Sequence, residues 1–119
     1  MTTLSPTTAL AALATHFLTL GTHIAIGSGA SVPSLSSTAL TTEVDRNAIT
    51  TSTASGATCT FEGFFSTSEP STTTTIREIG LFNAASGGIL QVFGQPIIPV
   101  SKTTNKTMLV TVTVTFSNA

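Results

Sequence analysis

Met108-Leu109-Val110-Thr111-Val112-Thr113-Val114-Thr115-Phe116 is the stretch that decides how the rest of the chain reads. Met, Val and Phe occupy its even positions, and Thr stands at 111, 113 and 115. A strict period of two, carried by β-branched residues, describes a strand with one apolar face and one face coated in hydroxyls. Val112 is therefore expected to face a core and Thr113 the opposite side.

The same economy of charge runs through the whole chain. About a third of the 119 residues are Ser or Thr, and only 8% are charged. Mean hydropathy is +0.42 although the hydrophobic fraction is 40%. Exposed faces must then be Thr, Ser, Gly and Ala, where monomers normally carry Lys and Glu. Much of that surface is expected to be covered in a homo-oligomer, a trimer or a ring. The length suits one domain over residues 1–119.

The formal net charge is −1, and the basic residues Arg46, Arg77, Lys102 and Lys106 are dispersed. No basic stripe exists for phosphate contacts, so nucleic acid is not an expected partner. The first 42 residues carry no Lys, Arg, Asp or Glu and so lack the basic start of a secretory signal, and Gly21 and Gly27 interrupt the longest apolar run. A soluble chain made in the cytoplasm, without membrane contact, is the expectation. The lone Cys59 forms no internal disulfide; it alternates with Phe61 and reads as a small core residue.

Ser5 as N-cap and Pro6 at the first helical position predict a helix over residues 6–20. Leu10, Leu13, Ala14, Phe17 and Leu18 form its apolar stripe, and Gly21 ends it; a strand beginning at Thr15 or Thr19 is the alternative. Strands are predicted at 22–26, 46–53, 58–65, 75–82, 89–94 and 108–116. Residues 30–42 read as a long surface loop with one helical turn at 37–40. Residues 54–56 and 83–88 supply hairpin turns, and Pro96 and Pro99 mark an edge or crossover. The fold class that follows is mainly β, an antiparallel β-sandwich or curled sheet of about six strands with one N-terminal helix.

Chemistry-bearing patterns are scarce. Gly27-Ser28-Gly29 is shorter than a nucleophile elbow, and no phosphate loop or HExxH is present. His16 and His23 lack further ligands at metal-binding spacing, so neither catalysis nor a metal or other cofactor is expected. The charges themselves are the candidate functional residues: Glu43, Asp45 and Arg46 at a strand entry, and Arg77 with Glu78 inside the apolar run Ile76 to Phe82. A charge buried alone is costly, so distant pairs are expected: Arg46 or a Lys of 102–106 for Glu78, and Glu43 or Asp45 for Arg77. Ile76, Ile79, Leu81 and Phe82 break strict alternation, which a β-bulge or burial on both faces would explain.

The run Ile76-Arg77-Glu78-Ile79-Gly80-Leu81-Phe82-Asn83, with Gly87-Gly88-Ile89-Leu90 behind it, resembles a segment of tail-fibre and tail-collar-like proteins of tailed bacteriophages. Ile24-Ala25-Ile26-Gly27-Ser28-Gly29, Pro33, Thr38-Ala39-Leu40 and Glu43 to Arg46 are similar to the N-terminal part of small phage structural proteins. Those proteins also tend to end in a Thr/Val alternation. The resemblance spans about residues 22–117 as an ordered set of short motifs. It implies a non-catalytic virion structural protein of a tail fibre, baseplate or collar, β-rich and homo-oligomeric, contacting other virion proteins. A capsid decoration (cement) protein shares these traits and is the alternative. A carbohydrate-binding module is a further one, although no Trp or Tyr is present to form a sugar platform. Fibre proteins usually continue into a long shaft or tip, whereas this sequence stops at Ala119, so assembly is expected ahead of contact with a host receptor.

Overall fold

The computed structural model describes Leu4 and residues 6–118. Along them run α1 (Thr7–Phe17), β1 (His23–Gly27), β2 (Glu43–Ala48), β3 (Thr51–Ser55), β4 (Thr58–Phe65), β5 (Thr74–Ile76), β6 (Glu78–Phe82), β7 (Leu90–Gly94), β8 (Val100–Lys102) and β9 (Met108–Thr115). The strands build three antiparallel sheets in the orders β2-β1-β6-β7, β3-β4-β9 and β5-β8. The chain is mainly β and antiparallel, with one N-terminal helix, as its patterning implies.

The Val/Thr strand pairs with β4 from Met108 opposite Phe65 to Thr115 opposite Thr58, with no shift in register. Phe61 stands opposite Val112 and Cys59 opposite Val114, all on the apolar face. Thr113, opposite Thr60, is exposed. Phe61, Phe65, Cys59 and Val110 of the three-stranded sheet pack on Ile24, Ile26 and Leu81 of the four-stranded one. Each fully buried Ile, Leu or Phe contributes about 1.5–3 kcal/mol. Gly63 allows close approach of the layers, since a Cβ there would lie 3.1 Å from Ile24.

Helix α1 packs against β3 and β4, with Ala14 buried and Phe17 in edge-to-face contact with Phe61 and Phe116 at 5.8 and 5.7 Å. Leu13 is half exposed and lies off the buried face. The expected Ser5 cap lies outside the described residues. Pro6 precedes the helix as its N-cap, its carbonyl accepting the N–H groups of Ala9 and Leu10. The helix ends at Phe17, short of residue 20, because Thr19 and Leu20 bond three residues back in a tighter turn. Gly21 is required for a different reason than stopping a helix. A Cβ there would sit 2.7 Å from a Leu81 methyl and 2.9 Å from Phe61.

Two expected strands are each divided between sheets. Within 46–53, Ile49 donates its N–H to Thr22 O of the four-stranded sheet, and Thr50 donates to Glu62 O of the three-stranded one. The chain turns a corner there, leaving β2 and β3 in different layers. Within 75–82, Arg77 separates β5 from β6 while its N–H bonds Gly27 O. The broken alternation has two causes: the interruption at Arg77 lets Ile76 and Ile79 join the same core, and the run beyond it is buried on both faces. Leu81 points into the main core, whereas Phe82 joins Ala25 and Leu40 in a second cluster on the outer face of the sheet.

Residues 28–42 carry no helix or strand. Their turn lies at Leu35 and Ser36, with Ser37 N–H bonded to Ser34 O, and the helical turn expected at 37–40 is absent. Leu40 instead plugs the second cluster. The β3–β4 and β6–β7 hairpins turn where expected, on Gly56, Gly87 and Gly88 with φ of +56°, +61° and +75°. The segment holding Pro96 and Pro99 crosses from β7 to β8, in another sheet. The described residues span 54 × 27 × 26 Å, and their radius of gyration of 15.3 Å exceeds the roughly 13.5 Å of a compact chain of this length.

Candidate functional site

Antiparallel pairing sets Glu78 opposite Gly27, on the outer face of the four-stranded sheet. Glu78 is completely buried, and its carboxylate accepts three backbone N–H groups. Oε2 takes Gly29 at 2.8 Å and Thr42 at 2.7 Å, and Oε1 takes Thr41 at 2.8 Å. These are the lengths of charge-assisted bonds. The carboxylate thereby clips both ends of the 28–42 loop to one point on β6, beside the Ser28 N–H to Thr42 O bond.

The two glycines of Gly27-Ser28-Gly29 make room for this group. A Cβ on either residue would approach Glu78 Oε2 to 2.5 Å. The motif is thus a socket for a carboxylate, a role that only its strand partner reveals.

Arg46, on the neighbouring strand β2, forms the second constellation. Nε and Nη2 grip the Glu43 carboxylate at 2.9 and 2.7 Å, and Nη1 donates to Ala84 O and Gly87 O at 3.0 and 2.8 Å. Its guanidinium carbon stands 3.7 Å above the centre of the Phe82 ring. A planar fork suits this combination of bidentate pairing and stacking. Arg46 therefore ties β2 to the β6–β7 turn across β1. Asp45 Oδ1 accepts the Arg46 backbone N–H at 2.8 Å.

The expected long-range charge pairs do not form among the described residues. Their one ion pair is Glu43–Arg46, three residues apart. Backbone donors take the role assigned to a cation at Glu78, and they suffice because three N–H groups answer both oxygens. Arg77 is exposed, between β5 and β6.

Two further charges act in the same way. Lys102, 2% exposed, donates Nζ to Ser66 O at 2.9 Å and Thr103 O at 3.3 Å. Glu69 Oε1 accepts the Ser66 N–H at 2.9 Å, which holds its carboxyl below the usual range; the Ser66 hydroxyl, Asn47 and Lys102 add to the effect. Nothing in the local sequence around Lys102 announces its burial. Burial pushes the Cys59 thiol up, as expected for a core cysteine. His23 Nδ1 lies 2.8 Å from Thr22 Oγ1. Among the described residues no three His, Cys, Asp or Glu side chains gather where a metal could sit.

Apolar groups lie outside. Phe64 and Leu109, cross-strand neighbours on the hydroxyl face of the three-stranded sheet, are exposed. Ile97 and Ile98 are exposed on the β7–β8 crossover. An apolar cleft of about 290 Å³ opens between the sheets on the side where β7 and β9 form their edges, lined by Ile79, Leu81, Val92, Ile97 and Val112. No described helix is long and apolar enough to cross a membrane. The chain matches no protein-family model and no curated protein sequence.

Proposed function

We propose that this chain is a structural subunit of a tailed-virus particle, a non-catalytic component of the tail fibre, baseplate or collar that assembles with copies of itself and with other virion proteins. One observation carries the reading. Within the segments that resemble phage structural proteins, Glu78 and Arg46 hold the 28–42 loop and the β6–β7 turn onto the four-stranded sheet. Beyond them, the exteriors of β3, β4 and β9 present hydroxyls and exposed apolar side chains, with Glu62 the one charge among them. Such a surface suits packing against other protein.

The test is antibody labelling of purified particles under negative stain. Label on the tail or its baseplate is the expected result. Label distributed over the capsid would make the chain a decoration protein, and particles without label would overturn the virion reading.

A further inference from the structure

We infer that the free edge of β9 pairs antiparallel with β9 of a second copy, joining two three-stranded sheets into one continuous sheet about a two-fold axis. The inference deepens the assembly reading above, on which it rests, by naming the contact and the partner.

The edge itself is defined by hydrogen bonding. Phe116 donates its N–H to Ala57 O, on the β4 side. With strand period two, Val114, Val112 and Val110 also direct their backbone groups to β4. Leu109, Thr111, Thr113 and Thr115 direct theirs away from it, and β4 is the one strand with which β9 pairs among the described residues. An open row of donors and acceptors is a template for another strand.

The other three edges of the two main sheets are guarded. β2 carries Glu43, Asp45 and Arg46. β7 meets β6 with a shifted register and runs into Gly94 and Pro96. β3 is five residues long and lies against α1. β9 is eight residues long, in unbroken register, and holds no charge, proline or glycine. It has none of the devices by which natural sheets block edge pairing.

Three features select a second copy as the occupant. First, every charge at a two-fold axis meets its own sign, so a self-pairing strand must be uncharged there, and β9 is. Second, the outward-directed residues are all odd-numbered, so hydrogen bonding pairs odd with odd. That same register sets Thr against Thr on the hydroxyl face and Val against Val on the apolar one. Third, the cleft beside β9 continues into a second hollow of about 550 Å³ that reaches Val100 and Met108. The inward valines of an added strand close that side of the sandwich, and exposed Ile97 and Leu109 flank the seam.

The experiment is light scattering on purified full-length chain at micromolar concentration, with far-UV circular dichroism as the folding control. Wild type should give an even multiple of 12.1 kDa. Thr113→Pro removes an outward N–H while leaving the β4 ladder intact, and proline is tolerated at such a position on an edge strand. It should halve the mass with an unchanged spectrum. Thr113→Lys, which keeps the backbone donor and, opposite the uncharged Thr60, sets like charges across the axis, should do the same should the proline variant not fold. A monomeric wild type, or a folded Thr113→Lys that keeps the wild-type mass, overturns the pairing. Those outcomes are independent of particle labelling: tail label with an intact Thr113→Lys oligomer rejects this contact alone, and absent label with a split dimer rejects the virion reading alone.

Discussion

Glu78→Ala strips the acceptors from three backbone N–H groups at once. Hydrogen bonds to a charged group are each worth about 1.5–3 kcal/mol, and a donor left buried without a partner costs about 1–3. Thr41 and Thr42 lie on an exposed stretch, so water can replace part of what they lose, whereas Gly29 is buried. The expected destabilisation is about 3–5 kcal/mol, a large share of the 5–15 typical of a whole domain. At this chain length it lowers Tm by roughly 10–20 °C. Glu78→Gln keeps the shape and one accepting oxygen but turns an NH₂ toward a backbone donor, and should lose about 1–3 kcal/mol. Urea unfolding gives the ranking wild type, Gln, Ala. Native-state amide exchange locates the effect, with protection lost at Gly29, Thr41 and Thr42 before the β4–β9 amides are touched. A Glu78→Ala variant within about 0.5 kcal/mol of wild type, or an even loss of protection throughout, would refute the clip.

Val110→Asp, which places a carboxylate in the main core, should cost several kcal/mol, on the order of 3–5, while Thr113→Asp on the hydroxyl face, opposite Thr60, should spare the fold; similar thermal midpoints for the two would reject the assigned faces. Arg46→Lys keeps the charge but not the fork, and should lose about 1–2 kcal/mol in chemical unfolding, with faster amide exchange in residues 83–88. Glu69 has a folded-state pKa below its ordinary value, so its contribution is present above the usual carboxylate range and is lost as pH falls through that range toward the lower folded value. Glu69→Gln should therefore flatten the acid limb of a stability-versus-pH curve, and an unaltered limb would remove Glu69 from the account.

What the sequence showed and what it concealed divide along a physical line. Residues 108–116 could be read directly because period two is a local property and one face of the strand meets the core. The turns at Gly56, Gly87 and Gly88 were equally local, since positive φ selects glycine there. Residues 46–53 looked like one strand because nothing in their own pattern states whose carbonyl will meet each N–H. Thr22 and Glu62, distant in sequence, decide it. The candidate charges stand out in a sequence this poor in them, but the partners expected for Glu78 and Arg77 follow from the rule that a buried charge seeks an opposite one. Backbone donors carry no sequence signature, so a carboxylate held by Gly29, Thr41 and Thr42 is invisible until the loop is folded around it. The one available hint was a Gly-x-Gly pair whose glycines form no left-handed turn.

That distribution of charge also bears on how the molecule meets its neighbours. Glu78 fixes the 28–42 loop, Arg46 the β6–β7 turn, Glu69 the start of the 66–73 connection, and Lys102 joins that connection to the end of β8. Charges held against the chain's own backbone are poorly placed to repel another molecule, and those of β2 guard one sheet edge only. Hydroxyl faces and apolar side chains remain on the β4–β9 side, where Glu62 of β4 is the one ionic group within the strands and β9 itself carries none. A charge-poor chain with every edge open would associate in many registers. With β2 charged, β7 shifted and β3 short against the helix, the remaining edge offers a single strand whose odd and even positions match only their own kind. On the proposed pairing, restricting association to β9 turns low charge from a liability into a means of selecting one contact.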